Sequence, residues 1–283
     1  LEQKPQDPLT RPEASLHTAS PGRDAVEATE AAGGIAATGT PPGGPLKTLE
    51  AVIARVPEGG RVLDVGCHGW KLVAAAQAAG RGDLRHSGCD LTDDEPPPPS
   101  AELRIADLRV DALPWEDDSF DLVVLSHVLE HLTDPVAVFG EAVRVCRPGG
   151  MIYVEGPSDR STAFSFPFAQ KLHLILSFWD DPTHVGRPLT PQSLYRLGVY
   201  WHCRPLTSRY DHGPLDLLLF LPRLAQGLWR RDPDQVVYAW WKLVGWTCIG
   251  VFLKPAGVKG KPRMRYFSFK GVRHTDLTFG TGR

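Results

Sequence analysis

The chain has 283 residues, 42% of them hydrophobic and 23% charged, with a formal net charge of −2. This is the composition of a globular protein, long enough for one large domain with insertions or two small ones. The near-neutral balance lacks the basic domain or stripe of a nucleic-acid binder, so no nucleic-acid partner is expected. The five cysteines (Cys67, Cys89, Cys146, Cys203 and Cys248) are odd in number and form no Cys-x-x-Cys pair. That argues against a disulfide framework and a structural zinc site, and suits a reducing cytoplasm, the expected location. No charged-then-apolar-then-small leader pattern opens the sequence.

Residues 1–45 are rich in Pro, Gly, Ala, Thr and Glu and poor in periodic apolar positions, which predicts a flexible arm. Folded structure is expected from Leu46, with a short helix through Leu49, Val52 and Ile53. Arg61–Val65 reads as a buried strand and residues 72–79, rich in alanine and stopped at Gly80, as a helix. Residues 84–89 and 102–106 are strand candidates separated by the Pro96–Pro99 loop. Phe120–Ser126 is a continuous apolar run, as in a strand covered on both faces. Residues 134–147 read as an amphipathic helix capped by Asp134, with Pro135 in its first turn and Val136, Phe139, Val143 and Cys146 on its inner face. Pro148-Gly149-Gly150 ends it and residues 151–155 start another strand. Further on, residues 190–197 predict a helix capped by Thr190, residues 199–210 a strand, and residues 236–253 a helix followed by a last core strand, 246–253. Strands alternating with helices define an α/β fold with a mostly parallel sheet and helices on both faces.

The chemistry-bearing signal starts at Val62-Leu63-Asp64-Val65-Gly66-Cys67-His68-Gly69-Trp70, a strand that turns through glycine into a helix. Glycine admits a close ligand and a helix N-terminus favours a carboxylate. Asp90 ends the next strand, where an acid in a doubly wound fold can accept hydrogen bonds from ribose hydroxyls. Then follow Leu113-Pro114-Trp115 leading to Ser119-Phe120-Asp121, the run Leu129-Glu130-His131, and Arg147-Pro148-Gly149-Gly150. Taken in order, these segments resemble the class I S-adenosylmethionine-dependent methyltransferases, over about residues 62–157.

The resemblance implies a Rossmann-like, doubly wound, seven-stranded sheet with a helical insert or lid in the C-terminal half. The methyltransferase domain would span residues 46–253, with the cofactor-binding core at 61–157, a substrate-side insert at about 158–198 and an apolar helical insert at about 213–245. It implies S-adenosylmethionine as cofactor. Asp64, Gly66 and Cys67 would line its methionine and ribose portion, with His68 beside them. Asp90, with Leu91 next to it, would bind the ribose. Asp107 and Leu108 would sit at the adenine, Asp111 being a competing choice, and Ser126 and His127 would close the pocket. The sequence departs from the family run "DxGCGxG" at two positions. His68 and Trp70 replace the second and third glycines, so that His68 puts a side chain where backbone usually approaches the ligand.

For the acceptor, the segment Asp181-Pro182-Thr183-His184 before Thr190-Pro191 resembles a loop of bacterial methyltransferases acting on glycans, lipid-linked sugars or quinone precursors. His184 is the candidate base or substrate-positioning group, with Asp181 and Arg187 as neighbours, since a near-neutral histidine suits proton removal. Glu130, His131 and a nearby acid are conceivable metal ligands, but a structural role is the better reading, and no metal is expected. The expected acceptor is a small molecule or glycan hydroxyl. A quinone-type or lipid acceptor is one alternative and a catalytically inactive cofactor-binding or scaffold protein is another. Residues 215–228 are strongly apolar yet short for a membrane span and interrupted by Pro222 and Arg223. Together with the tail from Lys254, which holds eight Lys or Arg and one acid, they suggest peripheral contact with the inner membrane face.

Overall fold

The computed structural model describes residues 45–163, 174–257, 264–266 and 275–277. The arm expected over residues 1–45 lies outside them, apart from Pro45. In chain order the elements are α1 (Leu49–Ile53), β1 (Arg61–Val65), α2 (Lys71–Ala78), β2 (Arg85–Asp90), β3 (Ala101–Ile105), β4 (Phe120–Ser126), α3 (Pro135–Val145), β5 (Cys146–Pro157), α4 (Pro191–Tyr200), β6 (Arg204–Tyr210), α5 (Pro214–Arg230), α6 (Pro233–Val244) and β7 (Thr247–Leu253). β8 (Met264–Tyr266) and β9 (Thr275–Leu277) pair antiparallel in a ladder of their own.

The seven-stranded sheet runs β3-β2-β1-β4-β5-β7-β6. Its first five strands are parallel, and β7 is antiparallel to both β5 and β6. Alternation along the strands splits the core into two layers. Val62, Leu122, Val124, Tyr153 and Val251 pack under α1 and α2. Leu63, Val65, Val123, Leu125, Ile152 and Phe252 pack under α3 and α4. β4, in mid-sheet, is buried from Phe120 to Leu125, which is why its sequence carries no polar alternation. The strand order reverses between β1 and β4, and the crevice at the carboxyl ends of the strands there is where such sheets bind ligands.

Capping chemistry sets the helix starts as expected. Asp134 accepts the Ala137 N–H and Thr190 the Ser193 N–H, each ahead of a proline in the first turn. Three expectations are corrected. The inner face of α3 is Val138, Phe139, Ala142, Val143 and Val145, while Val136 is exposed, because α3 meets the sheet along a stripe that begins one turn later. The strand expected over 199–210 starts at Arg204, since α4 runs on to Tyr200. Pro222 does not interrupt α5, which is continuous over 17 residues; the carbonyl its missing N–H leaves unbonded is that of Leu218, an exposed residue that water can serve.

Candidate active site

The loop after β1 is built around backbone that glycine tolerates. Gly66 has φ +74, and a Cβ there would stand 2.6 Å from Val128 Cγ2; its N–H donates to the Cys89 carbonyl at 2.8 Å. Trp70, where the family has its third glycine, holds φ +48 and so keeps the glycine's left-handed backbone. Its indole is buried against Cys67 and Val73, with Ala101 and Leu103 alongside. Gly88 on β2 makes the room: a Cβ there would lie 2.8 Å from Trp70 Cη2 and 2.6 Å from Cys67 Sγ. His68, at the other replaced glycine, lies on the surface of the loop. Its side chain is 79% exposed, with Nε2 3.6 Å from Glu95 Oε1, and Glu95 Oε2 accepts the Gly69 N–H at 2.6 Å. The loop between β2 and β3 thus holds His68 at the rim of the cavity.

That cavity, about 650 Å³, lies at the strand-order reversal. Gly66, His68, Asp90, Leu91, Asp107, Leu108 and His127, all expected at the cofactor, border it, together with Cys89, Ala106, Val128, His131 and Leu132. Asp90 ends β2 and accepts the Leu91 N–H at 2.7 Å. Asp107 is clamped by Arg109 through Nε and Nη2 at 2.8 and 2.7 Å, which holds its carboxyl down at about 2. Asp111, the competing choice, accepts the Asp107 N–H at 3.0 Å and shapes the turn from outside the cavity wall. Asp64, Cys67 and Ser126 also stand behind the wall. Asp64 is buried beneath the loop, accepts the Leu72 N–H, and is pushed up to about 7 by burial, reinforced by Asp90 and Glu155. Cys67 packs on Trp70, and the Ser126 hydroxyl donates to Glu155 Oε1 at 2.6 Å. Asp64 lies within β1, Ser126 ends β4, and Cys67 follows β1 in the loop.

The far end of the cavity adds His131, Thr133, Thr183 and Val185. His127, at φ +55, shares a hydrogen bond with Glu130 Oε1 at 3.1 Å. Its ring lies 6.3 and 6.1 Å from Trp241 and Trp246, which stack on each other at 4.1 Å. Both indoles donate N–H bonds to the segment before the Asp181 loop, at the Ile175 and Leu176 carbonyls. Asp181 and His184 stand just behind Thr183 and Val185. His184 Nδ1 bonds to the Phe178 carbonyl at 2.7 Å, and its Nε2 is 3.7 Å from Asp181 Oδ2. Burial pushes the Asp181 carboxyl up, yet the Thr183 hydroxyl and N–H outweigh it and hold the group below its usual range. His131 and His184 rings are 4.9 Å apart, and one ligand atom from each of Glu130, His131 and His184 lies within 4.8 Å of the others. The sequence pairs Glu130 with His131; nothing in the spacing adds His184, and nothing marks Trp241 and Trp246 among the other aromatics of their apolar stretch.

Residues 63–154 match the family model described as a methyltransferase domain. The matched segment, about a third of the chain, holds the strand-order reversal between β1 and β4 and most of the cavity's border. The ubiquinone biosynthesis O-methyltransferase of Neisseria meningitidis serogroup A is 33% identical over 155 residues, covering 49% of this chain and 61% of that protein; the match thus spans less than two thirds of the relative. Among solved structures, a chain of a Haloferax volcanii complex with the Trm112 methyltransferase activator superposes with TM-score 0.53 at 16% identity, over 74% of this chain and 89% of that one. Phosphoethanolamine N-methyltransferase 2 of Haemonchus contortus, solved with S-adenosyl-L-methionine, gives 0.50 at 15% identity, over 72% and 50%. These two likenesses carry the fold.

The site suits that cofactor. Its volume falls in the range of small-molecule sites, roughly 300–1,000 Å³. The closeness of Gly66 to Val128 leaves no room for a side chain at the turn, so backbone lines the cavity there, and Asp90 and Asp107 place carboxylates on its border.

Proposed function

We propose that this chain transfers a methyl group from S-adenosylmethionine to an oxygen of a small-molecule acceptor, a glycan or lipid-linked sugar being included in that class. The observation that carries the reading is the cavity at the strand-order reversal, bordered by seven of the residues that family resemblance assigns to the cofactor. In this reading Asp90 accepts from the ribose hydroxyls, Leu91 and Leu108 cover the nucleoside, and Asp107 sits by the adenine. Bound there, the cofactor supplies an electrophilic methyl on a sulfonium. The chain's own task is to align the acceptor oxygen with it and exclude water. The acceptor oxygen would receive the methyl, the carbon–sulfur electron pair would stay with the cofactor's sulfur, and the acceptor's proton would pass to the basic nitrogen of His184. His184, its Nδ1–H fixed on the Phe178 carbonyl, keeps Nε2 as the basic nitrogen and serves the acceptor side, with Asp181 orienting it. Because both stand behind Thr183 and Val185, the segment around them shifts when an acceptor enters.

A second reading, a quinone-type acceptor, draws support from the ubiquinone-pathway relative and from the apolar outer face of α5. The inactive-scaffold reading rested on His68 and Trp70, and loses support because Trp70 preserves the glycine's backbone and His68 stands at the rim.

The test is calorimetric titration with S-adenosylmethionine and S-adenosylhomocysteine. Micromolar binding is expected, with Asp90→Ala weakening it at least tenfold. Absence of binding to the folded protein would sink the reading, and unchanged affinity in the variant would remove Asp90 from the ribose.

A further inference from the structure

We infer that Glu130, His131 and His184 form a binding site for a divalent transition-metal cation of the zinc class, at the acceptor end of the cavity. Three independent features converge. First, one ligand atom of each of the three residues lies within 4.8 Å of the others. Second, the ring orientations leave lone pairs free. A carbonyl can only accept, so the His184 nitrogen on the Phe178 carbonyl, Nδ1, is the protonated one. His131 Nδ1 likewise faces the Thr183 carbonyl at 3.3 Å and the Thr183 hydroxyl oxygen at 3.0 Å, whose own proton goes to Asp181 Oδ1 at 2.6 Å. Both imidazoles therefore carry the neutral Nε2 that a metal takes, with the other nitrogen braced on backbone, as in histidine ligands generally. Third, Glu130 is 2% exposed. His127 serves its Oε1 at 3.1 Å, but Oε2 is buried with no hydrogen-bond partner. A carboxylate oxygen buried without a partner costs free energy that a cation would offset.

Two imidazoles and one carboxylate are the donor set of a borderline cation such as Zn²⁺ or Co²⁺, not of Mg²⁺, which prefers oxygen alone. Ligand atoms around tetrahedral zinc stand roughly 3.4 Å apart at the usual bond lengths, so the site contracts slightly on loading. Gly186 permits the close fit of the His184 loop on the turn that carries Glu130, since a Cβ there would lie 2.9 Å from the Leu129 carbonyl oxygen and 3.0 Å from that of Glu130. Three protein ligands leave an open position, as in catalytic sites. His131 borders the cavity, so that position faces the acceptor end. The role of the site rests on the methyl-transfer reading: a hydroxyl oxygen bound to the cation loses its proton more readily, and His184 then acts through the cation rather than by taking the proton itself. The existence of the site does not depend on that reading.

The test uses the full chain, stripped with chelator and titrated with Zn²⁺ by calorimetry and with Co²⁺ by visible absorption. One cation per chain is expected at micromolar affinity or tighter, with the absorption of a low-coordinate nitrogen- and oxygen-bound cobalt. His131→Ala and His184→Ala each weaken it at least tenfold, and Glu130→Gln, which keeps the buried shape, does the same. His212→Ala, at a histidine held on the Lys242 carbonyl of α6 and not part of the cluster, leaves the affinity unchanged. No binding by folded wild type, or binding indifferent to His131→Ala and His184→Ala, overturns the inference. S-adenosylmethionine binding is measured on the same stripped sample. If the cofactor binds and zinc does not, the site fails while the methyl-transfer reading stands; if zinc binds and the cofactor does not, the reverse holds.

Discussion

Trp70 occupies the left-handed backbone region that costs most residues on the order of 1 kcal/mol or more. It tolerates this because its indole is buried in a socket that Gly88 leaves open. The glycine lost from one strand-turn is thus matched by a glycine on the neighbouring strand. Asp64 sits next to this loop, and its raised value of about 7 has two consequences. Below that value the folded chain holds a proton that the unfolded chain gives up near the ordinary 3.8. Asp64 therefore makes stability fall as pH rises from about 4 to 7. A cationic ligand above the loop reverses the preference, because a positive charge favours the carboxylate. Affinity for S-adenosylmethionine is therefore expected to rise as pH climbs to about 7 and to level off above it, with release of a proton on binding below that value. Calorimetry in two buffers of different ionisation enthalpy measures this, and Asp64→Asn should flatten the profile. Proton uptake, or a flat profile in the wild type, would show that the cofactor's charge is not felt at Asp64.

Helix α4 lies on the outer antiparallel strands through buried Leu194 and, one turn on, through a glycine. At Gly198 a Cβ would come within 2.3 Å of Phe252 Cδ1 and 2.5 Å of Cε1, and Phe252 is itself fixed edge-on against Phe139 at 5.1 Å. Gly198→Ala is expected to destabilise the fold by about 1–3 kcal/mol through overpacking, despite alanine's better helix propensity. Urea denaturation measures it, and a stabilised variant would mean that α4 lifts off the sheet freely. The elements themselves were legible where local chemistry determines them. Asp134-Pro135 and Thr190-Pro191 announced the starts of two helices to within a residue, and the unbroken apolar run of β4 announced a central strand. Of the residues expected on the inner face of α3, Phe139 and Val143 are buried there and Val136 is exposed, because where the buried stripe begins depends on where the sheet lies. At the site, the cavity-lining residues were readable from motif order. The direction of each side chain was not: Asp64 is buried within β1, Cys67 packs on Trp70 in the loop, and Ser126 bonds to Glu155. The meeting of His184 with Glu130 and His131 depends on how residues 174–190 return across the strand ends, which no local pattern encodes.

Across the whole molecule, polarity is inverted on α5. Its charged pair, Arg223 Nη1 to Asp216 Oδ1 at 2.7 Å, is half-buried towards α6, where Arg223 lies over Tyr238. Its outward side carries Leu215, Leu217, Leu218 and Leu221, with Leu218 76% and Trp229 83% exposed, and Arg230 and Arg231 follow. No helix among the described residues is long and apolar enough to cross a membrane. An apolar face edged by tryptophan and arginine suits in-plane contact with an anionic surface. The chain is expected to pellet with vesicles containing anionic lipid, and Leu218→Glu with Leu221→Glu to reduce this at least several-fold without changing thermal stability. Equal pelleting of the double variant would leave α5 with no part in the contact.

The connection between β6 and β7 has a further consequence. Tyr210 pairs with Cys248, and the Asp211 N–H bonds to the Thr247 carbonyl at 2.8 Å, so β6 and β7 are already a hairpin whose ends meet. Everything from α5 to the Trp241–Trp246 stack leaves and re-enters the fold at one point. Such a segment is a replaceable cartridge. A short reverse turn would join the same two ends while leaving the cofactor side of the sheet in register, and a different cassette grafted there would give the same methyl donor a different acceptor.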